Sequence, residues 1–221
     1  MVRSPRATLA YAVRNPRSFD IAVLIVAISA ACSAGFLMTR VGQLAALDQQ
    51  VRQLESFGFA ITDDTYQQLR GVVPYRPLVS AAFIVIGWPI LWIASALLLQ
   101  WFGNRIAETR ATFPQVLTVV VHASAILALR AVLTAPVNYA RESLGGATSL
   151  RSVMPAFGES TFTGRLLGAV DLFAVWWLVL IALGLSILYH ARTLPIARWL
   201  FGAYAGGAAV LALTQALRGG V

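Results

Sequence analysis

The sequence has no lysine, a single cysteine and two histidines, and only 12% of its 221 residues are charged. Each shortage excludes something. A soluble domain usually carries about 25% charged residues. Here 58% of the chain is hydrophobic. Apolar residues at that density cannot all hide in a core, so many must face lipid. The lone Cys32 forbids an intramolecular disulfide. It lies inside the first apolar run and reads as a small apolar residue there. His122 and His190 form no His-Glu-x-x-His zinc motif. With no lysine, no glycine-rich turn can end in the Lys-Ser/Thr pair that cradles phosphate. The sequence therefore predicts no cofactor and no metal.

What is present is arginine. All 17 basic residues are arginine, and the net charge is +8. These residues do not gather on a polar surface with interleaved aromatics, so nucleic acid is not expected as a partner. They fall between apolar runs, where basic side chains meet lipid headgroups and set orientation.

The apolar runs are Ile21 to Met38, Leu78 to Phe102, Val116 to Pro136, Leu166 to Ile187 and Leu194 to Leu213. Each is long enough for roughly 30 Å of hydrocarbon at about 1.5 Å per residue. The fold class expected is all-α: a polytopic membrane protein with a bundle of about five transmembrane helices. The first run is longer than a signal-peptide core and follows a long basic leader, which favours a retained span. Pro89, in Gly87-Trp88-Pro89, should kink the second span. Arginine density favours the N-terminus inside and the C-terminus outside. Arg3, Arg6, Arg14, Arg17, Arg105, Arg110 and Arg192 crowd the short inner segments. Tyr75 and Tyr139 fall at outer ends; Trp101, Tyr189 and Trp199 fall at inner ends, the depth such rings prefer.

Residues 1–20 read as a basic interfacial leader, with Leu9, Tyr11 and Val13 between arginines. Residues 21–221 form the membrane domain, with an extracytoplasmic helical insert at about 40–76. In that insert Leu44, Leu47, Val51 and Leu54 make a narrow helical stripe. The first span should continue as a helix to about Ser56, before Gly58. A short helix fits Asp63 to Arg70, capped by Thr62 and stopped by Gly71. The stripe either packs on that short helix or the membrane, or meets a partner. Residues 137–165, with Gly145-Gly146-Ala147-Thr148-Ser149 and Gly158-Glu159-Ser160-Thr161, read as a surface loop.

Few polar groups enter the runs. His122 reads as a hydrogen-bonded interior residue. Pairing it as a base with Ser124 or Ser186 would make a hydrolase, but no spacing supports that, and small hydroxyls are ordinary at membrane helix contacts. Arg130 and Asp171 stand out. Either alone costs about 2.5–3.5 kcal/mol in lipid on insertion scales. If the third span ends at Pro136 and the fourth starts at Leu166, Arg130 lies about 9 Å deep and Asp171 about 7–8 Å. An Arg130–Asp171 ion pair is the least costly arrangement, either fixing helix register or acting as a polar gate. In the fifth run, Gly202, Gly206 and Gly207 mark a face where helix backbones can approach closely, within the bundle or in self-association.

Several segments together resemble a family. Phe113-Pro114-Gln115-Val116 opens the third run. Gly158 and Gly168 precede Asp171-Leu172-Phe173-Ala174-Val175-Trp176-Trp177, and Gly184-Leu185 follows. Ser4-Pro5-Arg6-Ala7-Thr8 and Asn15-Pro16-Arg17 lead the first run. This pattern resembles bacterial members of the Yip family, the Ypt/Rab-interacting proteins. Its most specific part is Asp171, Leu172, Phe173 and Trp176, with Gly184 below. The resemblance implies a five-span bundle with a cytosolic N-terminus, in the inner membrane of a bacterium, and no enzyme activity. Eukaryotic relatives act with small GTPases through an Asp-Leu-Tyr-Gly-Pro-type segment. Phe19-Asp20-Ile21 does not match it, so that role does not transfer. Some bacterial members serve ABC-type exporters as accessory subunits.

The function expected is thus a non-enzymatic adaptor or accessory subunit of a membrane complex such as an exporter. Its partners would be the lipid bilayer and other membrane proteins or further copies of itself. The alternative is a small-solute transporter or channel using Arg130 and Asp171. The ion pair has a direct test. Exchanging the charges, Arg130→Asp with Asp171→Arg, should restore the folded yield lost in either single variant. Failure to rescue either one would dispose of the pair.

Overall fold

A computed structural model describes residues 4–56, 58–107, 109–144, 147–153, 163, 167–168 and 170–218. Arg3, Gly145-Gly146, Gly158-Glu159-Ser160-Thr161 and Leu166 lie outside the described residues. Among those described, the regular structure is helical. The helices are α1 (Pro5–Arg14), α2 (Phe19–Leu37), α3 (Arg40–Ser56), α4 (Asp63–Val72), α5 (Arg76–Ile106), α6 (Phe113–Ala123), α7 (Ala125–Ala140), the single turn α8 (Leu150–Val153), α9 (Leu172–Leu188) and α10 (Thr193–Arg218). A 3-10 turn, Val73–Tyr75, joins α4 to α5.

Among the described residues, three helical runs are long and apolar enough to cross a membrane: Phe19–Leu37, Asp63–Arg105 and Phe113–Ala140. Helix α9 is apolar but shorter, at 17 residues. Their outer faces are apolar too. Helix α5 exposes Leu78, Phe83, Ile86, Ile90 and Leu97. An unbroken exposed surface of this kind is what lipid covers and water would not tolerate. The all-helical expectation therefore holds.

The chain forms two compact units, taken in turn. The first comprises Met1–Ile28, Phe83–Arg130 and Phe173–Tyr204. Its centre is α6, whose Val116, Val120 and Ala123 pack with Ala96 of α5 and Ile181 and Leu185 of α9. A Cβ on Gly184 would stand 2.4 Å from Val119 Cγ1, so α9 approaches α6 to a distance that only glycine permits here. Thr112 and Gln115 open α6 with reciprocal capping: the Thr112 N–H donates to Gln115 Oε1 at 3.0 Å. That agrees with the start expected at Phe113-Pro114-Gln115. The basic leader is not a loose tail. It folds as α1, with Pro5 in its first turn, and buries Leu9 and Ala12 against α6 while Tyr11 points outward.

The second unit comprises Ser29–Ala82, Ala131–Leu172 and Ala205–Val221. Here the continuous outward helix expected after the first span is corrected. Helix α2 stops at Leu37 and α3 begins anew at Arg40. Thr39 makes the break. Its hydroxyl donates to Phe36 O at 2.7 Å and accepts from the Gly42 N–H at 3.0 Å, serving the end of one helix and the start of the next. Gly42 is required for that turn, because a Cβ would meet Phe36 O at 2.0 Å. The far end at Ser56 is as expected, and Gly58 follows with φ +84.

Thr62 does cap α4, its hydroxyl accepting from Thr65 N at 3.3 Å. Gly71 does not stop it; the helix runs through to Val72 and into the 3-10 turn. Helices α3 and α4 touch, as the packing reading of the stripe requires. The stripe itself is rotated. Ala45, Ala46 and Leu47 are buried and Leu44 is 62% exposed, because α3 also packs Ala45 and Ala46 with Phe36 and Leu37. Arg76 and Gln50 share a hydrogen bond between α5 and α3, and Ser33 and Ser80 share one at 2.8 Å between α2 and α5.

Two interior prolines are carried without a break. Helix α5 is continuous through Pro89 and α7 continues past Pro136 to Ala140. The third span therefore does not end at Pro136. It is interrupted instead at Ser124, between α6 and α7.

Candidate functional site

In the first unit the polar groups inside the helices converge on one hydroxyl. Ser124 sits at the α6–α7 break and is fully buried. Its hydroxyl donates to Val120 O at 2.8 Å, four residues back. Such back-bonding competes with the helix ladder and bends it. The same oxygen accepts two indole N–H groups: Trp92 of α5 at 3.0 Å and Trp177 of α9 at 3.1 Å. A serine hydroxyl has one donor and two acceptor lone pairs. All three are used, and three segments distant in sequence are tied at one atom. Trp88 stacks beside Trp92 with ring centroids 5.5 Å apart.

A second network closes one end of this unit. Asn104 accepts from the Ala111 N–H at 2.8 Å and donates to Ala111 O at 3.1 Å, pinning the α5–α6 connection. Gln100 donates to the same carbonyl at 3.1 Å. The Tyr189 hydroxyl donates to Asn104 Oδ1 at 3.0 Å, and Thr109 donates to Tyr189 O at 3.1 Å. Tyr189 lies just past α9, and its burial pushes the phenol pKa up.

The residues singled out from sequence are distributed as follows. His122 is buried and its Nδ1–H donates to Thr118 O at 2.8 Å, as expected of an interior histidine. A serine nucleophile needs a base to take its proton. The Ser124 proton goes to Val120 O and the Ser186 proton to Leu183 O at 2.8 Å, both main-chain carbonyls. Cys32 is half-buried in α2. Among the described residues no three His, Cys, Asp or Glu side chains are placed to hold a metal ion.

Asp171 is not five residues inside a span. It immediately precedes α9 and pairs in an antiparallel bridge with Ser149. The Leu150 N–H donates to Val170 O at 2.8 Å and the Leu172 N–H to Thr148 O at 3.0 Å. Its carboxylate accepts the Thr148 hydroxyl. The hydropathy run was extended too far because Leu166 to Val170 is apolar in composition. Arg130 lies in α7 on an exposed position. Arg130 lies ten residues before the end of α7 at Ala140, and Asp171 one residue before the start of α9.

Within the family-like segment the outward and inward residues separate. Leu172 and Trp176 are exposed, Phe173 is half-buried and packs on the core, and Gly184 makes the close approach to Val119. The inward tryptophan is Trp177, which the sequence reading did not single out. A signal was available. Trp92 and Trp177 both fall well inside apolar runs, away from the interfacial belt, and a buried indole N–H needs a partner.

These helices, with lipid-facing apolar sides and interior hydrogen-bond networks at Ser124 and Asn104, define a helical membrane protein. The Yip1 domain family model matches residues 1–216, and the chain belongs to that family. Comparison with curated proteins and with solved structures finds no match.

The hub predicts a specific cost. Ser124→Ala strands two indole N–H groups at about 1–3 kcal/mol each. Thermal unfolding in detergent should fall by several degrees, at roughly 2–4 °C per kcal/mol for a chain of this size. An unchanged midpoint would mean the hydroxyl ties nothing together.

Proposed function

We propose that this Yip1-domain protein is a non-enzymatic membrane adaptor that packs against other membrane proteins through α10. The carrying observation is the open glycine face of that helix. A Cβ on Gly202, Gly206 or Gly207 would meet nothing within 4 Å. In lipid, small residues four apart are valuable only when another backbone comes close, since lipid tails offer Leu and Gly surfaces no such difference. Glycine in a helix otherwise costs about 0.8–1.0 kcal/mol relative to alanine. A face left uncovered by the described residues is therefore read as one that a partner covers.

The membrane is the cytoplasmic membrane of a bacterium, crossed five times with the N-terminus inside. Helices α2, α5, α6–α7, α9 and α10 are the spans. The partner class, an ABC-type exporter, follows from the Yip resemblance of the sequence. Co-purification in mild detergent should bring down a stoichiometric membrane partner. Gly206→Leu should abolish that recovery without lowering the yield of folded chain. A monodisperse monomer that recovers nothing would overturn the adaptor reading.

One observation favours a second reading. Arg130 occupies an exposed position within the membrane-length run Phe113–Ala140. An arginine at that depth marks solute and ion pathways in many membrane proteins. A small-solute transporter or channel using Arg130 and Asp171 would show flux in proteoliposomes that Arg130→Ala abolishes. Absence of flux with the solutes tried at both charges would remove it for them.

A further inference from the structure

The first unit carries a concave apolar groove that its own side chains leave open. It has a volume of about 440 Å³, within the roughly 300–1,000 Å³ of small-molecule sites. Its walls come from the end of α5, the end of α9 and the start of α10. Leu98 and Leu99 form one wall; Ile196, Leu200 and Ala203 form the other. The lining is nearly all apolar, with the exception of its rim. There the α9–α10 turn contributes Arg192, flanked by Tyr189 and Trp199.

The rim has the composition of a headgroup boundary. Trp199 is 66% exposed and Arg192 is exposed. Nearby in the same unit, the Arg105 guanidinium lies 4.2 Å over the Trp101 ring. Arginine with tryptophan and tyrosine marks the depth where hydrocarbon gives way to phosphate. From that rim the groove runs along α10 from Arg192 to Ala203. At about 1.5 Å per residue this is roughly 16 Å. One leaflet of hydrocarbon is about 15 Å, half of a 30 Å core. The groove thus begins at headgroup level and is one acyl chain long.

We propose that this groove is a site for a resident anionic phospholipid. One acyl chain lies between Leu98–Leu99 and Ile196–Ala203, and the phosphate is held by Arg192. Three features separate this from ordinary lipid contact. The surface is concave, whereas the exposed face of α5 is an open helix side. Its length matches one leaflet. Its cation, Arg192, stands at the mouth, where a headgroup of net negative charge gains more than a zwitterionic one whose own ammonium offsets the phosphate. The inference is independent of the adaptor reading, because it concerns α5, α9 and the first turns of α10 rather than the Gly206 face.

The test uses the full-length chain in mild detergent, with phosphatidylglycerol and phosphatidylcholine of identical acyl chains added in equal amounts. Native mass spectrometry reads the lipid retained per protein. The wild type should retain phosphatidylglycerol at least fivefold over phosphatidylcholine. Arg192→Gln should bring that ratio to about one. Ala203→Trp, which fills the groove, should lower retention of both lipids at least fivefold. Ile196→Trp provides a second groove-filling variant if Ala203→Trp fails to fold, with helix content by circular dichroism as the check. A wild type without preference, a preference that survives Arg192→Gln, or retention that survives groove filling would overturn the proposal.

Discussion

In hydrocarbon a polar group has only the protein to bond with. In the first unit one oxygen meets that constraint for two indole N–H groups. Ser124 satisfies Trp92 and Trp177 while its own proton returns to Val120. The arrangement does several things at once. It stands at the break where α6 ends and α7 starts, with its back-bond to Val120 competing with the helix ladder there. It orients two large aromatic side chains inward, and these fill space between α5 and α9. It also leaves Gly184 to bring α9 up against Val119. The packing of α6 with α5 and α9 is thus tied together at one saturated hydroxyl.

The end of the unit near Tyr189 uses the same economy with neutral groups. Asn104, Gln100 and Thr109 satisfy main-chain atoms of the α5–α6 connection and of the α9 terminus. Those hydrogen bonds use neutral groups, and Arg192 at that end is exposed. That division explains how a rim holding Arg192 can sit over a groove of leucine, isoleucine and alanine. A stable anchor and an open apolar cleft coexist because the hydrogen bonds are completed elsewhere.

Membership of the Yip1 domain family rests on nearly the whole chain, and the family-like segment shows what its residues do physically. Asp171 belongs to a short pairing between Ser149 and the entrance to α9. Gly184 buys a close helix contact. Trp176 faces outward while its neighbour Trp177 reaches the hub. A strong sequence pattern of this type describes how a helix enters and packs.

The sequence alone determined the helical class, the membrane setting, the far end of α3 at Ser56, the Thr62 cap of α4 and the start of α6 at Phe113. These follow from composition, periodicity and local capping, all short-range signals. It misjudged the continuity of α2 with α3, the stop at Gly71, the end of α7 and the start of α9. Hydropathy averages over a window, so it cannot see a Thr39 turn or a bridge that starts a helix late. Only the tertiary structure decided which tryptophan faces inward and that Ser124 joins three segments. It alone showed that Gly184 is covered while Gly202, Gly206 and Gly207 are open. Each of those facts depends on residues far apart in the chain, and packing between helices is set by the shapes that meet rather than by the order in which they were written.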